Sequence, residues 1–512
     1  MQMKISICQF DYAAMALEEN KNKILQALQD SDDETLNLFG NMAVTSSPIY
    51  NHSLYENLYS KVNKIGDELC NTNKSFIVGV PSKNEVFRYN SLVFVDKGDV
   101  KALATKRNLS PLDANFSIGN GMEVVKYRDK KIAFGFYADL DNFLARKVSV
   151  DLLILFEDIL FDKDYKNEIE RELLKTSKQI KTPVILVSRV GAEGNYVYQG
   201  GSFFINSHGI LQQEMEEFAE QTLKFDTSDA DLDKEFAVSP YIERIYNACV
   251  VGISDYFEKN HIKKAIIGLS GGIDSAVVAP LAVAALGKEN VIGILMPSEY
   301  STDHSVRDAQ QSAENLGIEY HIVPIKEIFS ASLSTLKDLL SDSVGLAEEN
   351  LQARIRCMIV MAYANKHKAA MLNTSNKSES CVGYGTLYGD DSGALGPIGD
   401  LYKEDVYKLA NYINEEKEIV PKNSIEKAPS AELHPGQKDS DSLPDYPLMD
   451  KILQLHIEDN LTKEQIINEG FDKQTVEKVL HLFNINEWKR RQEAPALRLS
   501  KTCFATDYKL NW

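Results

Sequence analysis

Residues 270–275 read SGGIDS, two hydroxyls and a carboxylate arranged around paired glycines. These residue types suit an anion. Gly271 and Gly272 let the backbone approach a ligand closely, successive amide N–H groups can form a nest for oxyanions, and a helix starting at the turn adds partial positive charge. Ser270 and Ser275 contribute hydroxyl donors. Asp274 sharpens the reading, because an acid in a phosphate-binding turn repels its ligand unless a cation such as Mg2+ stands between them. No G-K-[ST] follows at the required spacing, so the turn is not a Walker A motif.

The flanking sequence supplies elements that could hold such a turn. KAIIGLS predicts a strand before it and SAVVAPLAVAAL a helix after it, while VIGILMP and EYHIVPI alternate with further helical segments. That order predicts a doubly wound parallel sheet with ligands at the carboxyl ends of its strands. Earlier in the chain, KISICQF, SFIVGVP, SLVFVD, KIAFGFY, VDLLILF and TPVILVS recur between polar or helical stretches and predict an α/β sandwich. A charged stretch, residues 224–240, lacks apolar periodicity and ends at Pro240. With 512 residues exceeding one hydrophobic core, the expected division is 1–225, a linker at 226–240, and 241–512.

A formal charge of −19 argues against a nucleic-acid backbone as partner, since such proteins gather Lys and Arg. The six cysteines are widely spaced, with no C-x-x-C pair, which suits a reducing compartment. MQMKISICQF alternates like a strand and lacks the basic and apolar regions of a signal peptide, and no segment has about 18 uninterrupted apolar residues. A cytoplasmic protein without membrane partners is expected.

The turn resembles the signature of the ATP pyrophosphatase superfamily, whose members adenylate an oxygen and release pyrophosphate. Downstream, ENLQARIR (residues 349–356), NTSNKSE (373–379), GYGTLYGD (383–390), LYKEDVY, KAPSAEL and WKRRQ occur in the order of the synthetase domain of two-domain NAD synthetases. The resemblance implies that ATP, deamido-NAD and ammonia are the substrates, with Mg2+ as cofactor. It implies catalytic roles for Lys403 and Asp274, and metal ligation by Asp274 and Glu379. ATP contacts fall to Gly268, Ser270, Gly271, Gly272, Asp274, Ser275, Thr374, Lys403 and Ser430. Deamido-NAD contacts fall to Asn350, Glu379, Asp390, Lys489 and Arg354, with Arg356 as the alternative reader; Lys377 is placed around the same cleft. Singly, each of these residues has a bland structural reading as a solvated cation or a buried acid with a partner. An amidating synthetase acting on another nucleotide is the competing enzyme reading.

The front half is similar to the nitrilase-like glutaminase of the same enzymes through SICQF, FIVGVP, YNSLVFVD, VGAEGNYVYQGGSFF and INSHG. That family uses a Glu base, a Lys that stabilises the oxyanion and a Cys nucleophile. Here FGNMAVTS places Asn41 at the base, ATKRNL retains Lys106, and FYADLDN places Tyr137 at the nucleophile. Neither Cys70 nor Cys249 is close enough in sequence to replace it. The resemblance therefore implies a silent glutaminase, with nitrogen taken as free ammonia or delivered by a separate glutaminase protein, and a homodimer or larger homo-oligomer. The Pro- and Asp-rich residues 424–446 are expected to form a mobile cover over the synthetase site.

Overall fold

A computed structural model describes residues 3–228, 239–340 and 345–508. Of the expected linker, residues 229–238 lie outside the described residues. The chain divides into two compact units, Met1–Glu193 with Val197–Val238, and Gly194–Tyr196 with Ser239–Trp512.

In the first unit, two six-stranded sheets stand face to face. One runs in the order Gln221–Asp226, Lys4–Gln9, Thr35–Phe39, Ser75–Lys83, Arg88–Asp96, Asp99–Thr105, and the other Leu211–Glu214, Phe203–Ile205, Val184–Val187, Leu152–Phe156, Lys130–Phe136, Glu123–Tyr127. Because strand side chains alternate, Ile5, Ile7, Leu36 and Leu38 point inward against Ile132, Phe134, Ile154 and Phe156 of the facing sheet. Their neighbours Cys8, Phe39, Phe76 and Val78 point outward, under helices Leu17–Gln29 and Glu56–Cys70, which contribute Ile24, Leu28, Leu58 and Val62. The second sheet is covered in the same way by Ile169 and Leu173 of helix Tyr165–Ile180. Strands covered on both faces read as apolar runs, as the sequence does.

The second unit is built on a parallel sheet in the order Glu319–Ile322, Val291–Leu295, Ala265–Gly268, Ala370–Met371. Ile266, Ile292, Ile294 and Met371 pack on Val360 and Ala364 of helix Leu346–His367. The strand order reverses at Ala265–Gly268, which opens a crevice at the carboxyl ends there. Helices Lys377–Val382, Tyr446–Ile457 and Lys473–Ile485 form a second core around Leu453 and Phe483. Among the described residues, no helix is long and apolar enough to cross a membrane.

Candidate active site

From the switch-point strand the chain turns through residues 269–272 into helix Ile273–Leu286. Gly271 sits at φ +78°, and a Cβ there would collide with the Ser305 carbonyl, so the loop requires glycine at this position. Ser275 Oγ accepts from Ser270 N at 3.3 Å and donates to the Gly272 carbonyl at 3.1 Å. The Gly271 carbonyl is fixed by Ser424 Oγ at 2.9 Å. These bonds hold the turn open toward a cavity of about 680 Å³.

Lys403, at the start of helix Lys403–Ile413, projects into this cavity and is its electrostatic centre. Its Nζ donates to Asp274 Oδ2 at 2.7 Å and to Glu379 Oε1 at 3.0 Å. Burial works against the ammonium, but the two carboxylates outweigh it and hold Lys403 above its ordinary value. Burial pushes Glu379 up to about 7, with Lys403 opposing that rise and Asp274 adding to it. Asn376 joins the pair from the other side, donating Nδ2 to Asp274 Oδ1 at 2.9 Å and accepting from Glu379 N at 3.1 Å.

Of the other residues singled out from sequence, Gly268, Asn350, Thr374, Asp390, Ser430 and Lys489 line the same cavity. Asn350 Oδ1 accepts from Thr386 Oγ1 at 2.8 Å, Asp390 Oδ1 accepts from Thr386 N at 2.9 Å, and Lys489 Nζ donates to the Gly383 and Gly385 carbonyls, both at 2.8 Å. Ser430 Oγ donates to the Gln437 carbonyl at 2.6 Å within the covering segment. Arg354 is exposed and lies outside the cavity lining, its Nε donating to the Leu387 carbonyl at 3.2 Å. Its neighbour Arg356 does line the cavity and donates to the Met296 carbonyl at 3.1 Å.

Lys377 departs from the sequence expectation. It is fully buried away from the cavity, bonded to Glu458 Oε1 at 2.7 Å, Ser500 Oγ at 2.6 Å and the Thr502 carbonyl at 2.7 Å, and 3.0 Å from Asp400 Oδ1. Helical geometry explains the difference: Glu379 follows two residues later on a different face of the same short helix.

Residues 424–439 lie over the cavity and are tied down. Glu432 accepts from Thr302 Oγ1 at 2.8 Å and Ser305 Oγ at 2.7 Å, and Lys427 Nζ reaches Asp308 Oδ2 at 3.1 Å. Sequence reading missed these anchors, together with Asn376 and Asp450. Asn376 had a signal, since an Asn three residues before a Glu is a helix-start pattern. Asp450 belongs to no motif, yet its carboxylate accepts from Ser378 Oγ and, at 3.1 Å, from Glu404 N, while Ser378 Oγ accepts from Lys403 N at 2.8 Å. The backbone that carries Lys403 is thereby fixed.

Among the described residues, no group of three or more His, Cys, Asp or Glu side chains could hold a metal by itself. The pair Asp274 and Glu379 fits the lesser demand of Mg2+, which takes one or two carboxylates and completes its shell with phosphate oxygens and water.

In the first unit, Lys106 Nζ donates to Asp113 Oδ2 at 2.7 Å, and Asn41 Nδ2 donates to Asp158 Oδ2 at 2.9 Å. Tyr137 OH donates to Glu172 Oε2 at 2.6 Å. Burial and then Glu172 push the phenol above its ordinary value, so it keeps its proton. The unit's cysteines are elsewhere: Cys8 packs in the apolar layer under the helices, where burial pushes its thiol up to about 12, and Cys70 ends helix Glu56–Cys70.

A glycine turn with an acid in the first turn of the helix that follows, at the switch point of a parallel sheet, defines a nucleotide-binding domain of the ATP pyrophosphatase class. The family description NAD synthase matches residues 245–493. Over 99% of its length the chain is 35% identical to the glutamine-dependent NAD(+) synthetase of Synechocystis sp., of which 98% is covered. It is 32% identical to that of Aquifex aeolicus, with the same coverage of each chain. The solved glutamine-dependent NAD+ synthetase of Acinetobacter baumannii, in complex with ADP, superposes with a TM-score of 0.80 at 29% identity, covering 99% of this chain and 98% of that one. The synthetase of Cytophaga hutchinsonii shares the fold, with a TM-score of 0.87 at 18% identity, over 100% of this chain and 97% of that one. The chain belongs to the two-domain NAD synthetase family, with a nitrilase-like unit in front of the synthetase unit.

Proposed function

We propose that the chain amidates deamido-NAD with ammonia and has no glutaminase of its own. In this reading residues 1–225 are the silent nitrilase-like domain and 241–512 the synthetase. The deamido-NAD carboxylate attacks the α-phosphorus of ATP and pyrophosphate leaves; ammonia then attacks the acyl carbon, AMP leaves, and one proton is released. Both steps bring negative charge together, so cationic and N–H donors at the phosphates lower the barrier.

Lys403 is the catalytic cation, and Ser270, Gly271, Gly272 and Ser275 cradle phosphate beside it. Mg2+ held by Asp274 and Glu379 would supply further neutralisation of the phosphate oxygens. Gly268, Thr374 and Ser430 complete the ATP site, and Asn350, Asp390 and Lys489 serve deamido-NAD, with Arg356, which lines the cavity, in the role first expected of Arg354 and Glu379 facing both. ADP in the Acinetobacter baumannii relative supports an adenine nucleotide in the cleft.

The observation that carries the ammonia assignment is Tyr137, whose hydroxyl is spent on Glu172 where the family keeps its thiolate. The relatives' name, glutamine-dependent, favours a second reading in which a separate glutaminase protein supplies the ammonia. A single experiment separates them. Purified chain with ATP, Mg2+ and deamido-NAD is expected to form NAD from ammonium and none from glutamine; restoration of glutamine use by a cell fraction supports the partner, and glutamate release by the chain alone refutes both readings. Light scattering is expected to report at least a dimer.

A further inference from the structure

Two of the acids at the phosphate loop come from different elements, Asp274 from helix Ile273–Leu286 and Glu379 from helix Lys377–Val382. Two side chains bridge them. Lys403 does so with an ammonium that bonds both carboxylates and, in the reading above, also serves ATP; Asn376 does so with the two ends of one amide, its Nδ2 on the Asp274 carboxylate and its Oδ1 on the Glu379 backbone N–H. Asn376 is 0% exposed and lies outside the cavity lining. Its residue type is informative. As a cap for the helix carrying Glu379, a serine would serve about as well. Reaching Asp274 Oδ1 as well requires a side chain with a donor at one end and an acceptor at the other, at the length of asparagine.

We propose that Asn376 is a positioning residue that sets the Asp274–Glu379 pair and thereby the chain's affinity for the divalent cation at the phosphate site. The inference rests on the reading that these two carboxylates hold that cation. A partner behind a metal-ligating carboxylate fixes its orientation, and loss of such a partner typically costs 10–100-fold in metal affinity. While Lys403 engages phosphate, Asn376 keeps Asp274 turned toward the cleft.

The test uses the full chain with Asn376→Ser and Asn376→Ala, and Mn2+ as the probe, its binding in the presence of ATP followed by electron paramagnetic resonance. Asn376→Ser retains the cap and is expected to melt like the wild type, yet to bind Mn2+ at least about tenfold more weakly. NAD formation by either variant should recover toward the wild-type kcat at saturating Mg2+, with the loss confined to the apparent Mg2+ constant. Wild-type Mn2+ affinity in Asn376→Ser would reduce Asn376 to a helix cap and overturn the proposal. So would a kcat deficit that Mg2+ cannot rescue. Glu379→Gln is the control: if it holds Mn2+ as tightly as the wild type, the cation reading itself falls.

Discussion

Replacing Lys377 with methionine separates a structural lysine from a substrate-binding one within the NTSNKSE segment. The side chain is 0% exposed, and its ammonium meets Glu458, Ser500, the Thr502 carbonyl and Asp400 within 3.0 Å. Asp400 in turn accepts from Leu499 N and Ser500 N, both at 2.8 Å, so the lysine and its acid together pin residues 499–502. Methionine fills the volume but leaves the buried Asp400 and the half-buried Glu458 without their cation. Breaking a buried pair in this way costs about 3–5 kcal/mol. At about 2–4 °C per kcal/mol for a unit of this size, the melting temperature of Lys377→Met should fall by roughly 10 °C.

The sign with pH follows from the same partners. Burial opposes the ammonium, but Asp400 and Glu458 raise Lys377 above its ordinary value. Its stabilisation is therefore complete below the unfolded lysine pKa of about 10.4 and is lost only as pH rises through the folded value. The deficit of the variant should accordingly be constant from pH 6 to 9, and nearly independent of salt because the pair is buried. Calorimetry measures the shift, and steady-state kinetics at 20 °C should give unchanged KM for ATP and deamido-NAD in the folded fraction. A variant that melts like the wild type but shows a raised KM for either substrate would refute the argument and return Lys377 to the cleft.

Gly271→Ala forces a Cβ against the Ser305 carbonyl at a positive φ, and ATP affinity measured by calorimetric titration should fall by more than about tenfold, at least 1.4 kcal/mol. Tyr137→Phe removes the bond to Glu172, at a cost of about 1 kcal/mol in stability, and should leave NAD formation from ammonium unchanged, since the phenol is a bystander. Burial pushes Glu157 up to about 7, against Lys106 and with Asp158 adding to the rise. The fold therefore favours the neutral acid, and wild-type stability falls as pH rises from the ordinary carboxylate range through about 7. Glu157→Gln should gain on the wild type by about 1–3 kcal/mol at pH 8 and by little at pH 5, read from paired denaturant melts.

Apolar patterning carried the fold. Runs such as KAIIGLS and VIGILMP became central parallel strands because both faces of the sheet are covered, and the glycine turn between KAIIGLS and its helix fixed the crevice. Spacing was less informative within the motifs. In NTSNKSE, a segment that reads as one block, Asn376 and Glu379 share a face of a helix start, while Lys377 and Ser378 turn toward the C-terminal core. Linear order cannot show which side of a helix meets the cleft until the packing of helix Tyr446–Ile457 is known. Arg354 and Arg356 illustrate the same limit: two residues apart on helix Leu346–His367, one is exposed and the other lines the cavity.

The two units differ in how far residue type alone decides their chemistry. A lysine serves phosphate, a salt bridge or solvent according to its neighbours, so Lys403 acquired its meaning only when Asp274 and Glu379 were found within 3.0 Å. A nucleophile is less negotiable. A half-buried phenol does not have the reactivity of a thiolate, and here partial burial and Glu172 both push Tyr137 away from ionising. In the proposed reading Asn41 adds to this, because an amide cannot take the proton that a glutaminase base must remove. Lys106, though retained, is paired with Asp113 and serves charge balance around buried acids. On the proposed reading, glutaminase activity would need both the thiol and the carboxylate, and Tyr137→Cys alone should release no glutamate from glutamine.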